Sequence, residues 1–210
     1  MNVSIAPTVT ASNPHTYREQ LERAHALSNR VHVDFADGDF APTKLVPPEQ
    51  AWIPDGCKVD LHVMYRRPEE FIGTLIALRP SLIILHAEAD GHILGLIREI
   101  KGAGLCAGLA LLQNSQPEQF ANEVEEADHV LIFGGHLGYH GGDADLTMLQ
   151  KIDSIRAINP ECELGWDGGV NDANAGKLVQ AGVQVLNVGS FVQKADDPKS
   201  AYAILESVVK

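Results

Sequence analysis

Positive charge is what this sequence has least of. Its 210 residues carry 16 Lys and Arg against 28 Asp and Glu, for a formal net charge of -12 and a pI near 5.1. Such a surface repels polyanions, so nonspecific binding to nucleic acid or to an anionic membrane is not expected. A phosphorylated small molecule stays within reach, because backbone N–H groups can hold one phosphate locally. Cysteine is also scarce. Cys57, Cys106 and Cys162 are odd in number, far apart, and form no Cys-x-x-Cys pair. This excludes a disulfide framework and predicts reduced thiols, mostly in the core. No apolar run approaches membrane-spanning length. The opening "MNVSIAPTVTASNPHTYREQ" has no basic stretch followed by an apolar one, so no signal peptide is expected and the default compartment is cytoplasmic. No Gly-x-Gly-x-x-Gly follows the first apolar run, which weakens a dinucleotide-binding reading.

What is present is a repeated alternation. Apolar residues make up 45% of the chain, enough for a substantial core in a domain of ordinary enzyme size. Strands are expected at 3–7, 30–34, 58–64, 81–87, 104–111, 129–133, 162–166 and 183–189. Amphipathic segments such as "PHTYREQLERAHAL", "GHILGLIREIKG" and "DLTMLQKIDSIRAI" lie between them. The second helix, around 47–53, is the poorest of the set. Repeated βα units favour a parallel sheet, and eight of them fit an α/β fold closed as a single (β/α)₈ TIM barrel over residues 1–210. An open doubly wound sheet is the structural competitor.

Four polar residues stand at the ends of three of these apolar runs: His32 and Asp34 in "RVHVDFADGDF", His62 in "KVDLHVM", and Asp167 in "CELGWDGG". Two imidazoles and two carboxylates brought together make a good site for a divalent metal. Two carboxylates facing each other across a small substrate also make a two-base device for inverting a carbon centre. In a barrel all four would gather at the C-terminal ends of strands 2, 3 and 7, where such folds place their chemistry. His32 and Asp34 are two apart and so share a strand face. Asp37, just before Gly38, reads as an Asx turn. His86 and Glu88 end the fourth strand, where they could orient ligands or loops. Gly141, Gly142, Gly168, Gly169, Gly189 and Ser190 fall in the sixth, seventh and eighth loops, where backbone can approach a phosphate closely. His92, His129, His136 and His140 have no metal spacing with one another, and "EVEEAD" reads as a solvated helix face.

At these residues the sequence resembles the ribulose-phosphate 3-epimerase family. "HVDFADGDFAP" is similar to that family's His-x-Asp-x-x-Asp-Gly-x-Phe-x-Pro segment, and "DLHVM" to its Asp-x-His-x-Met strand end. "LHAEA", "WDGGV" and "NVGSFV" match three further motifs in order. The resemblance implies a (β/α)₈ barrel that uses a divalent metal, zinc first, with iron, manganese or cobalt as alternatives. It implies interconversion of ribulose 5-phosphate and xylulose 5-phosphate. His32, Asp34, His62 and Asp167 would be the metal ligands, and Asp34 and Asp167 the acid/base pair. Thr8, His62, Met64 and the glycine loops would contact substrate. The expected partner is a small phosphorylated ketose, and self-association into a homo-oligomer stays open. The departures fall on the substrate wall. Thr8 and Ala36 replace the family's serine and methionine, and the sixth loop reads "GGHLGYHGGD", with His136, Tyr139 and His140 as novelties. Trp166 adds bulk before Asp167. These changes leave open a hexulose 6-phosphate substrate or a non-catalytic phosphometabolite-binding barrel. A related decarboxylase group carries Asp-x-Lys-x-x-Asp where this chain has "DFAD", without a lysine to protonate a carbanion, so decarboxylation is not expected.

Overall fold

The computed structural model describes residues 3–138 and 141–210. Tyr139 and His140 of the sixth loop fall outside them. Eight parallel strands close in sequence order: β1 (Ser4–Val9), β2 (Arg30–Ala36), β3 (Lys58–Met64), β4 (Leu82–His86), β5 (Cys106–Leu111), β6 (His129–Phe133), β7 (Glu163–Asp167) and β8 (Val185–Val188), with β8 pairing back to β1. The eight α-helices among the described residues are α1 (Pro14–His25), α2 (Ile72–Ala77), α3 (Ile93–Gly102), α4 (Ala121–Glu126), α5 (Lys151–Ile158), α6 (Ala175–Gln180), α7 (Ser190–Gln193) and α8 (Pro198–Val208). This is the expected (β/α)₈ barrel.

Period two sorts each strand. Outward side chains such as Val31, Val33, Phe35, Val59, Leu61, Ile83 and Leu85 enter one continuous core beneath the helices. Inward side chains fill the barrel in layers. At its base, Arg30 donates from Nε to Asp60 at 2.6 Å and from both terminal nitrogens to Glu163 at 2.8 and 2.7 Å, and Glu163 also contacts His129 Nδ1 at 2.9 Å. Above this polar floor a small separate cluster of Leu82, Ile84, Ala110 and Leu131 plugs the interior.

The helix expected around 47–53 is reduced to one 3₁₀ turn, Pro48–Gln50. Pro47 and Pro48 leave no side-chain cap, and the segment is held instead by its tail, where the Tyr17 hydroxyl donates to the Trp52 carbonyl at 2.9 Å. The cysteines also differ from expectation. Only Cys162 is buried; Cys57 is half-buried and Cys106 exposed, because Cys106 occupies the first, solvent-facing position of β5.

Candidate active site and metal centre

The strand register brings the four polar residues together. Asp34 on β2 lies opposite His62 on β3, and Thr8 on β1 opposite His32 on β2. Asp167 ends β7, opposite Phe133 on one side and Asn187 on the other. One ligand atom from each of His32, Asp34, His62 and Asp167 lies within 4.8 Å of the others, and all four residues are buried. His62 Nδ1 is 3.1 Å from Asp34 Oδ1 and 3.5 Å from Asp167 Oδ2. His32 Nε2 is 3.4 Å from Asp34 and 3.8 Å from Asp167. At those distances His32 is close to both carboxylates but bonded to neither, and both its ring nitrogens lack a hydrogen-bond partner among the described residues. A buried imidazole with no partner is costly. A cation within the cluster would satisfy one of its nitrogens, so the donor set fits a divalent metal.

The electrostatics follow from this crowding. Burial works against charge on Asp34, but the His32 and His62 rings overcome it and hold Asp34 well below the usual carboxylate range. Burial likewise opposes charge on His62, yet the carboxylates of Asp167 and Asp34, which accept from the ring N–H, raise it to about 9. Behind it, His86 is pushed down to about 4, chiefly by burial. Its Nε2 lies 2.8 Å from His62 Nε2, and its Nδ1 lies 3.4 Å from Glu88. Burial would raise Glu88, but the contact with His86 outweighs it and leaves the carboxyl low.

A cavity of about 320 Å³ opens above the cluster. Asp34 and Asp167 form part of its floor, and Thr8, Ala36, Met64, Gly141, Gly142, Gly168, Gly169, Gly189 and Ser190 also line it. His32 and His62, fully buried, lie beneath the carboxylates and off the wall, so a direct substrate contact from His62 has no geometric support here. Trp166 is off the wall as well. It points outward from β7, fully buried, with its indole N–H donating to the Gly168 carbonyl at 2.9 Å. The expectation that Trp166 adds bulk to the substrate wall is therefore corrected: its parity with Asp167 already puts it on the opposite face. His136 does line the cavity, from an exposed position. Asp37 forms the expected turn, accepting from the N–H groups of Asp39 and Phe40, both at 2.8 Å.

Several lining residues carry little or no sequence signal. The Thr10 hydroxyl donates to Asp34 Oδ2 at 2.8 Å. Its two-residue offset from Thr8 was the available clue. Asn187 is buried on the wall, with its side-chain amide unpartnered among the described residues. Arg23 and Lys194 bring positive charge to the mouth, from positions that only the closed fold makes adjacent.

The comparisons with known proteins agree with this architecture. A family model described as the ribulose-phosphate 3 epimerase family matches residues 4–193. A ribulose-phosphate 3-epimerase of Helicobacter pylori is 29% identical over 98% of this chain and 98% of its own length. One of Mycobacterium tuberculosis is 27% identical over 96% of this chain and 90% of that protein. Among solved structures, a phosphoribosyl anthranilate isomerase from Thermus thermophilus superposes with a TM-score of 0.68 at 16% identity, covering 98% of this chain and 100% of that one. At that identity the match speaks for the fold alone. No described helix is long and apolar enough to cross a membrane.

Proposed function

This chain belongs to the ribulose-phosphate 3-epimerase family, and on that premise we propose that it inverts carbon 3 of a ketose phosphate, interconverting D-ribulose 5-phosphate and D-xylulose 5-phosphate. The observation that carries the reading is that Asp34 and Asp167, from strands well separated around the barrel, both reach the floor of one cavity. The cation, zinc before iron, manganese or cobalt, would be held by His32, Asp34, His62 and Asp167. When bound it supplies fixed positive charge, which acidifies a hydrogen next to a ketone and offsets the negative charge that develops on its loss.

The chain's own residues do the rest. One aspartate takes the C3 proton, and the C–H electron pair passes into an enediolate spanning C2 and C3. The other aspartate, protonated, gives its proton to the opposite face of C3, so the centre is inverted and the two carboxyls exchange roles. The Thr10 hydroxyl donates to Asp34 Oδ2, which occupies one of its lone pairs and fixes the direction of the others. The phosphate is assigned to the loops of Gly141 and Gly142, Gly168 and Gly169, and Gly189 and Ser190, all of which line the cavity. Gly168 and Gly169 have φ of +106° and +69°, and a side chain on either would strike the backbone of the sixth loop, so this wall is built of bare peptide.

Ala36 on the wall favours a second reading, in which the space left by a smaller side chain admits a hexulose 6-phosphate. One methylene changes discrimination by only about 1–3 kcal/mol. A panel of pentulose 5-phosphates and hexulose 6-phosphates, compared by kcat/KM at matched metal loading, tests both. The expected result is preference for ribulose 5-phosphate. Preference for a hexulose phosphate moves the substrate and keeps the mechanism. Phosphate-ester binding with no bound metal and no turnover contradicts the enzyme reading and favours a phosphometabolite-binding barrel.

A further inference from the structure

The two histidines of the cluster are held in different ways. His32 has no hydrogen-bond partner on either ring nitrogen among the described residues. His62 has a partner on both. Its Nδ1 faces Asp34 and Asp167, and its Nε2 lies 2.8 Å from His86 Nε2. The far nitrogen of His86 lies 3.4 Å from Glu88 Oε2, and the other Glu88 oxygen accepts the Leu112 N–H at 2.8 Å. His62 and His86 are fully buried, and Phe40 and Phe133 pack against His86 at ring-centroid distances of 4.7 and 6.1 Å.

These links determine one another. To face a cation, His62 Nδ1 must present a lone pair, so the ring hydrogen sits on Nε2. That N–H donates to His86 Nε2, which must then be unprotonated. His86 therefore carries its hydrogen on Nδ1, where a carboxylate waits. Glu88 suits this end because both its oxygens accept, one from His86 and one from the Leu112 N–H. Reversing any single member sets two hydrogens or two lone pairs against each other in a dry interior, at a cost in unmade hydrogen bonds.

We propose that Glu88 and His86 are positioning residues that lock His62 in its Nε2–H tautomer and so aim Nδ1 into the metal cluster. The inference rests on the metal reading above and adds a one-sided support: His62 is pre-aligned, whereas His32 is aligned only by the cation. Outer partners of this kind change metal affinity by about 10- to 100-fold when removed.

Glu88→Gln is the informative variant. It keeps size and shape, but one end of its amide can only donate, so it opposes either His86 or the Leu112 N–H. His86→Leu removes the acceptor outright, and His86→Gln restores a carbonyl acceptor. Cobalt(II) affinity is measured by competition with a chromophoric chelator, together with the visible spectrum of the bound cobalt. The ring-nitrogen tautomers of the zinc-loaded wild type are read by ¹⁵N NMR. The expected outcome is His62 protonated on Nε2, cobalt affinity lowered about 10- to 100-fold with an altered spectrum in Glu88→Gln and His86→Leu, and partial recovery in His86→Gln. Cobalt affinity and spectrum unchanged in Glu88→Gln overturn the relay and leave the metal reading standing. A wild-type protein that takes up neither cobalt nor zinc overturns the metal reading, and the relay with it. Should His86→Leu fail to fold, the tautomer decides, since a zinc-loaded His62 bearing its hydrogen on Nδ1 overturns the proposal.

Discussion

At the scale of single residues, the metal-free cluster is an ion pair with a proton in the wrong place for metal binding. Asp34 is held ionised, and His62 is raised to about 9 by Asp167 and Asp34 against the opposing effect of burial. Below that pH a cation must displace the His62 proton before it can use Nδ1. The sign follows. Apparent affinity for zinc or cobalt should climb by about tenfold per pH unit from near neutrality and level off near pH 9. Competition titrations across this range check it, and a flat profile would contradict the raised proton affinity of His62. The same residues show what sequence can reveal. His32, Asp34, His62 and Asp167 were legible because buried polar residues at strand ends are rare and need partners. Thr10 was not, because a threonine just past a strand end is ordinary until its hydroxyl is seen to donate to Asp34.

Among elements, the strands were far more legible than what connects them. β3 and β6 have the bounds their apolar runs predict, and the others differ by one to two residues at their ends. The second connection has the apolar content of a weak helix, but those residues anchor a loop, with the Trp52 carbonyl accepting from the Tyr17 hydroxyl and the Trp52 ring lying under Arg18. Trp166 adjoins Asp167 in sequence, but strand parity puts its side chain on the opposite face. Its true role is to pack β7 against the start of the sixth loop, where its ring fills the space that a side chain on Gly134 would need. Gly134→Ala should therefore destabilise the protein by about 1–3 kcal/mol through overpacking. Thermal unfolding and tryptophan fluorescence together check it: a lowered Tm with shifted emission is expected, and an unchanged Tm would contradict the tight contact between the Trp166 ring and Gly134.

For the whole molecule, the barrel separates chemistry from cohesion along its axis. The top layer holds the two carboxylates and their histidines, the small apolar plug lies below, and the Arg30, Asp60, Glu163 and His129 cluster closes the base. Burial would raise Glu163, but Arg30 and then His129 outweigh it and hold the carboxyl low. A carboxylate whose folded pKa lies below its unfolded value of about 4.3 adds stability above that value and loses it as pH falls toward the folded pKa. Glu163 is partly exposed, so the contribution is screened. Glu163→Gln should weaken the protein near neutral pH and flatten the acid side of its stability curve, while ketose phosphate turnover per folded molecule stays unchanged. Denaturant titrations between about pH 3 and 7 check this. An acid limb as steep as that of the wild type would place the acid-sensitive group elsewhere.

The central claim is that Asp34 and Asp167 move a proton on and off carbon 3 from opposite faces. Its most direct test follows deuterium entering C3 of ribulose 5-phosphate in heavy water, by NMR, with the wild type, Asp34→Asn and Asp167→Asn at known metal content. Wild-type protein should wash deuterium into C3 as xylulose 5-phosphate accumulates. Each variant should lose epimerisation by about 10²- to 10⁴-fold, the usual weight of a positioned acid or base. Full epimerase activity in either variant, with its metal retained, would contradict the account.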